Sequence, residues 1–546
     1  MKKRKSIAVC IAVAAVSIAA SVSGVKAINE TEDSRKQTDM ETAELSEEQE
    51  KYLHKIKETY DVSNQKEIAE ELEEKKSSQH YTADNMLTQY NPFGTNTQSL
   101  YVYFHTDEAV SVTYTVHADD GSAGDFTRAV YADGTYRTEH EFQVTGLVPD
   151  TGNTITFTLT AEDGKVTEKE TFYEMGSLLG AEEVRLDVDV KRDASELKDG
   201  LYVVMGNDST ALDFIYFYDN EGVLRGEVPI LGYRGHRLLF DDTSMYYSIS
   251  ETKMARVDRL GQVMNVYDLE GYELHHDYVF DDSGNILILA SDESEDSVED
   301  IIIRLDADSG RVEEVLDMGD LFGSYKETCV PDEDGELDWM HINTIQWLGD
   351  GAVLLSSRET SSIIKVENLY DVPEVSYIIG SASFWEGTGY EELVLEQEGE
   401  FTLHGGQHSV TYAEDDSLDD GQYYLYMYNN NIGVSETNPD FDWSSEDLTE
   451  DSAKEGEASY YYEYLIDEDA ETFQLTDSFE VPYSGYVSSA QNLGTNTVID
   501  SGFQGWFAEY DEDHELIAAY TMNVEKFIYR VYKYDFEGFY YKQECY

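Results

Sequence analysis

The chain has 546 residues, 41% of them hydrophobic, which is long enough for more than one domain and apolar enough to give each a core. Its 113 acidic residues against 37 Lys and Arg leave a formal charge of −76, which argues against nucleic acid and anionic membrane surfaces as partners. With 42 Tyr and 7 Pro, the composition favours many strands over disorder.

Residues 1–27 read as a signal peptide. Lys2, Lys3, Arg4 and Lys5 precede an apolar run over 7–20, and small residues lead to Val25-Lys26-Ala27, a cleavage pattern. The run is short for a membrane anchor, and no later segment is apolar enough to span. The mature chain is therefore expected to be secreted, or held in the periplasm or cell envelope. Cys329 and Cys545 then remain as its cysteines and can form at most one disulfide. No CxxC pair or zinc spacing is present.

Residues 28–90 are highly charged. Ser46 and Gln49 have capping-box spacing, Leu53, Ile56 and Tyr60 follow at helical intervals, and a second short helix is predicted over 63–75. A solvated stalk and a docking arm both fit. Residues 91–178 alternate instead, with strands predicted at 100–106, 110–118, 136–144, 153–161 and 166–173 between Asp/Gly turns. This reads as a small β-sandwich that packs on the larger domain or mediates self-association, so a homodimer is one expectation.

From 179 to 546 the pattern repeats. An apolar residue, an Asp and a turn recur at Tyr218-Asp219, Val257-Asp258, Leu305-Asp306, Ile466-Asp467 and Tyr510-Asp511, with Val366-Glu367 as a degenerate copy. These turns are predicted to join the outer strands of four-stranded units, and such units point to an all-β, six-bladed β-propeller with blades beginning near 200, 236, 275, 341, 408 and 484. The first unit lacks a strand, which 526–534 is expected to supply, closing the ring. The polar stretch 429–457 is expected to be a surface excursion.

His236, His276, His341 and His408 occupy one frame of this repeat, each followed four residues later by an apolar or aromatic residue. In a propeller such positions point into one funnel; in the sixth blade the match falls at Ser488 or Ser489. Period two places Asn343 on the face of His341, and Arg358 returns on the neighbouring strand. Several imidazoles, an amide and a guanidinium suit an oxyanion better than a metal ion, because Arg repels cations and forks onto planar oxyanions. One imidazole can act as nucleophile and another can protonate a leaving group, while Arg358 and Asn343 hold the transferred group. The chemistry indicated is transfer or hydrolysis of a sulfate or phosphate ester. Two alternatives stay open: a non-catalytic propeller that binds sulfated ligands or a protein partner, and a His-rich metal site. Gly405 and Gly406 are expected to let backbone approach a ligand, and Phe384, Trp385 and Tyr390 either roof the pocket or pack between blades. Acidic runs such as 292–300 and 332–338 read as solvated turns.

Asp338-Trp-Met-His-Ile-Asn-Thr-Ile, Ser356-Ser-Arg-Glu-Thr-Ser-Ser-Ile-Ile-Lys, Gly406-Gln-His and His275-His-Asp resemble motifs of the bacterial arylsulfotransferase family. Asn91-Pro-Phe-Gly-Thr and Ser99-Leu-Tyr-Val-Tyr-Phe resemble the start of its N-terminal sandwich. The resemblance implies a six-bladed propeller with a sandwich domain, often dimeric. It also implies transfer of a sulfuryl group from a phenolic sulfate to a phenol, with no nucleotide donor or other cofactor, through a sulfated histidine. Carried over by motif, His408 is the nucleophile, and His276, His341 and Arg358 bind sulfate and assist the leaving phenol. Asn343 is a polar pocket position. His236 and Ser488 enter the substrate-binding set from the internal repeat, and His404 is a pocket neighbour or a loop residue.

Overall fold

The computed structural model describes residues 47–544 apart from 181, 193, 207–211, 333–334 and 525. The signal peptide, Ser46 and Cys545 lie outside the described residues, and with them the predicted cleavage, the first helix cap and any partner for Cys329. Strand accounts for 47% of the chain and helix for 11%, so the fold is all-β. Among the described residues no helix is long and apolar enough to cross a membrane.

Helix α1 covers Glu47–Thr59 and α2 covers Val62–Ser78. The Asp61 carboxylate caps α2 by accepting from the Ser63 and Asn64 amides. The pair docks rather than forming a stalk. Ile56, Tyr60 and Leu72 are buried, the Tyr60 hydroxyl donates to the Pro229 carbonyl at 2.6 Å, and the Gln65 amide bonds the Phe93 carbonyl and the Val263 amide.

The sandwich differs from expectation in two respects: Leu87–Tyr90 and Phe126–Ala129 are additional strands, and two predicted strands are one. Predicted strands 100–106 and 110–118 are the two halves of a single strand, Ser99–Ala118. Residues 107–109 carry neither Gly nor Pro, and the chain passes through with only a register shift between His105 and Val110. Leu87–Tyr90 and Arg137–Thr145 pair with its first half, and Phe126–Ala129 and Gly152–Ala161 with its second. Thr97 and Gln98 tie this domain to the first of the later sheets: Thr97 Oγ1 donates to Glu227 and Gln98 Nε2 to the Leu224 carbonyl.

Six further sheets of four or five strands succeed one another along the described chain, in a propeller-like arrangement. The third holds Tyr272–Phe280 as its first strand, the fourth Ile342–Gly349 and the fifth His408–Ala413. Two strands tie the ends together. Arg530–Tyr534 pairs antiparallel with Leu201–Met205 and completes the first sheet, as expected; Asp187–Lys191 pairs with Leu516–Thr521 on the sixth, which the sequence did not signal. The repeated aspartates cap the turns between the third and fourth strands of their sheets, counted from the inner edge: Asp219 Oδ1 accepts from the Glu221 and Val223 amides, Asp258 Oδ1 from Leu260 and Gln262, and Asp511 Oδ1 from Asp513 and Glu515. An Asx turn satisfies amides the outer hairpin leaves open, which explains the periodic motif.

Candidate functional site

The site grows from irregularities in or beside first strands. His276 and His341 both take left-handed backbone, φ +48° each, and their rings meet with centroids 4.7 Å apart. Non-glycine residues rarely hold this conformation, at a cost of about 1–3 kcal/mol. In the fifth sheet the left-handed residue is Ser409, so His408 stands one residue earlier than the repeat frame placed it. In the second, Tyr233 takes it, three residues before His236.

The fifth sheet recovers its histidine through Gly405 and Gly406. A Cβ on Gly405 would lie 2.6 Å from the Ile432 carbonyl oxygen, and one on Gly406 2.6 Å from Ile432 Cγ2. These glycines therefore make room for the 429–457 segment rather than for a ligand. That segment is no simple surface excursion: Ile432, Trp443 and Leu448 are buried, and Trp443 stacks on Phe384. Phe384, Trp385 and Tyr390 pack against Phe322, Tyr325 and Phe441, and Trp385 donates to Ser362 Oγ at 3.0 Å. They form an inter-element core.

His408 Nδ1 lies 2.9 Å from the Gly406 carbonyl and 2.9 Å from Asn430 Oδ1. Asn430 is oriented because its Nδ2 donates to the Ser484 and Val487 carbonyls. Both partners of Nδ1 are acceptors, so Nδ1 carries the proton and Nε2 keeps its lone pair. Nε2 is buried without a hydrogen-bond partner among the described residues. Burial, together with the nearby His341 and Arg358 charges, pushes the His408 imidazole down to about 3, so it is neutral at ordinary pH.

His341 Nδ1 lies 2.6 Å from Asp338 Oδ2 and 2.9 Å from Glu299 Oε2. The same Glu299 oxygen is 2.9 Å from His276 Nε2, and His276 Nδ1 is 3.0 Å from the Tyr529 hydroxyl. Burial opposes ionisation of Glu299, but His276, His341 and His275 together hold it well below the usual carboxylate range. Arg358 donates to Glu359 Oε1 at 2.9 Å and lies 3.7 Å from Asp338. Glu359 Oε2 accepts from the Glu436 amide, so Arg358 is linked to the segment that carries Asn430. Asn343 Nδ2 donates to the Gln407 carbonyl at 2.8 Å and steadies the backbone before His408.

The other candidates make packing and backbone contacts. His236 bonds Ser248 Oγ at 3.1 Å and packs on the ring of Tyr529; burial drives its pKa well below the usual value. Ser488 Oγ donates to Ser484 Oγ and accepts from the Gly502 amide, and Ser489 Oγ bonds the Val531 backbone, tying the sixth sheet to the closing strand of the first. His404 is a packed loop residue, 3.1 Å from the Tyr464 hydroxyl.

Sequence reasoning missed Glu299, Asn430 and Tyr529, and quoted Asp338 and Glu359 only as parts of motifs. Part of the signal was present in the acidic runs read as solvated turns. Asp300 is buried and accepts from Trp339 Nε1 at 2.6 Å, and Asp338 holds His341. His275, His276 and Glu299, or Glu299, Asp338 and His341, bring ligand atoms within 4.8 Å and are the sets that could hold a metal ion. As they stand, a proton on His341 Nδ1 bridges the second set, and the Arg358 cation borders it.

Residues 187–538 match the model of the family described as Arylsulfotransferase (ASST), and residues 87–176 match the Arylsulfotransferase Ig-like domain. Comparison with curated proteins finds no match. Among solved structures, BamB from Moraxella catarrhalis is 11% identical, with 65% of this chain and 97% of that one covered, at a TM-score of 0.30. The C-terminal WD40 domain of Sif2 is 10% identical over 63% of this chain and 75% of its own, also at 0.30.

Proposed function

As the chain belongs to the arylsulfotransferase family and its activity is that of an aryl sulfotransferase, we propose that it moves a sulfuryl group from a phenolic sulfate to a phenol by a ping-pong route through a sulfohistidine at His408. The observation that carries this reading is the tautomer of His408: a proton held at Nδ1 between two acceptors and a bare Nε2 beside Arg358 and His341.

In the first step the Nε2 lone pair attacks sulfur, an N–S bond forms and the S–O bond to the aryl group breaks. The departing phenolate takes a proton from His341, whose Nδ1 is braced by two carboxylates. The Arg358 guanidinium receives the sulfuryl oxygens as charge spreads over them, with His276 behind. In the second step an acceptor phenol returns its proton to His341, its oxygen attacks sulfur, and the N–S bond breaks to release His408 neutral. Both half-reactions balance without a cofactor.

Export by residues 1–27, placing the enzyme outside the cytoplasm, and homodimer formation belong to the same proposal. The deciding experiment follows phenolate release from a chromogenic aryl sulfate with and without added phenol, on the wild type and His408→Ala. Acceptor-dependent release, parallel double-reciprocal plots and sulfur label on the wild type alone are expected. Normal turnover by His408→Ala would overturn the assignment, and binding of aryl sulfate without turnover by the wild type would favour a non-catalytic propeller.

A further inference from the structure

We infer that Glu299 is a positioning residue that joins His276 to His341 and holds the His341 ring in place to protonate the departing phenolate. This rests on the sulfuryl-transfer reading above, whose chemistry it extends to a residue outside every motif recognised in the sequence. Three observations carry it.

The first is geometric. One oxygen of Glu299, Oε2, is 2.9 Å from His276 Nε2 and 2.9 Å from His341 Nδ1. A carboxylate that accepts from two imidazoles fixes the orientation of both rings, although burial still holds His276 down to about 3. Asp338 Oδ2 adds a second acceptor at His341 Nδ1, 2.6 Å away, so the ring is fixed between two carboxylates. Its Nε2–H is then the proton available to a leaving group.

The second is backbone construction. Glu299 takes left-handed φ, +55°, although it is not glycine. Its amide donates to Ser291 Oγ at 2.9 Å, and its carbonyl accepts from the Ile342 amide at 3.0 Å. Ile342 directly follows His341. The loop of the third sheet is therefore stitched to the fourth sheet at the residue beside the proton donor, and the strain is held by bonds on both sides.

The third is continuity. From the Tyr529 hydroxyl, bonds run to His276 Nδ1, from His276 Nε2 to Glu299, and from Glu299 to His341. Both ring nitrogens of His276 are engaged in this chain, so His276 acts through Glu299 and His341. Glu299 is the link whose removal disconnects them.

A merely structural Glu299 and a positioning one differ in leaving-group dependence. Donors with a poor leaving group, such as phenyl sulfate, need the proton; 4-nitrophenyl sulfate needs it far less. In Glu299→Gln, kcat/KM for phenyl sulfate is expected to fall about 100-fold more than for 4-nitrophenyl sulfate, and the dependence on leaving-group basicity becomes steeper. Glu299→Asp keeps the charge on a shorter arm and gives an intermediate slope, which provides a second reading should the Gln variant fail to fold. An equal loss on every ester, or no loss, overturns the inference while leaving sulfuryl transfer intact. Absence of turnover in the wild type overturns the transfer reading itself, so the two failures are distinct.

Discussion

The Nδ1–H of His408 donates to Asn430 Oδ1 at 2.9 Å, and that amide is locked by its own bonds to the Ser484 and Val487 carbonyls. A residue 22 positions away thus sets which nitrogen of His408 is nucleophilic. Asn430→Leu removes this acceptor and leaves the Gly406 carbonyl alone at Nδ1. A fall in kcat/KM of roughly 10–100-fold is expected, the range for loss of an orienting partner. Steady-state kinetics with one aryl sulfate and one phenol check it.

Arg358→Lys keeps the charge and loses the planar fork. The ammonium can still pair with Glu359, so the fold is expected to hold, while kcat/KM falls about 100-fold because a point charge cannot receive two sulfuryl oxygens together. A wild-type rate in this variant would show that bidentate recognition is not used.

Gly405→Ala tests the packing of the 429–457 segment over the site. The added methyl would sit 2.6 Å from the Ile432 carbonyl oxygen and 2.6 Å from Leu448 Cδ1. Overpacking of this kind costs about 1–3 kcal/mol. Urea titration should register the loss, and turnover should fall with it because Asn430 lies on the displaced segment.

Stability is expected to decline in mild acid. Burial holds His140 at about 4, and His404 and His408 at about 3, against about 6.5 for an unfolded imidazole. The unfolded chain therefore binds more protons than the folded one as pH drops below about 6.5, and stability present above that value is lost progressively toward the folded values. Each group contributes about 1.4 kcal/mol per pH unit within its window. Denaturation midpoints measured from pH 7 to pH 4.5 should track this loss, and His404→Gln, away from the site, should flatten the slope by one group's share.

Much of the architecture was legible because its signals are local. Alternation marked the strands, and an Asp that caps its own turn marked the outer hairpins, since an Asx turn needs only residues within four positions. The missing strand of the first sheet was readable as an apolar run with no neighbour to pair with, and it pairs with Leu201–Met205. Repeat logic failed at His408, where a one-residue slip puts Ser409 in the left-handed position; at Ser488 the left-handed backbone recurs, φ +87°, and the hydroxyl is bound to Ser484 and Gly502. Side-chain identity at a repeat position does not report backbone φ.

By itself the sequence determined the all-β class, the succession of sheets and the residue types available for oxyanion chemistry, because periodicity and turn formation are settled by near neighbours. Only the tertiary structure decided that Glu299, from a run resembling a solvated turn, bridges two imidazoles, that Glu359 links Arg358 to a distant segment, and that Asn430 selects the tautomer of His408. The physical reason is that the role of a carboxylate or an amide depends on what lies within about 3 Å of its oxygen, and in a closed ring those neighbours come from other sheets.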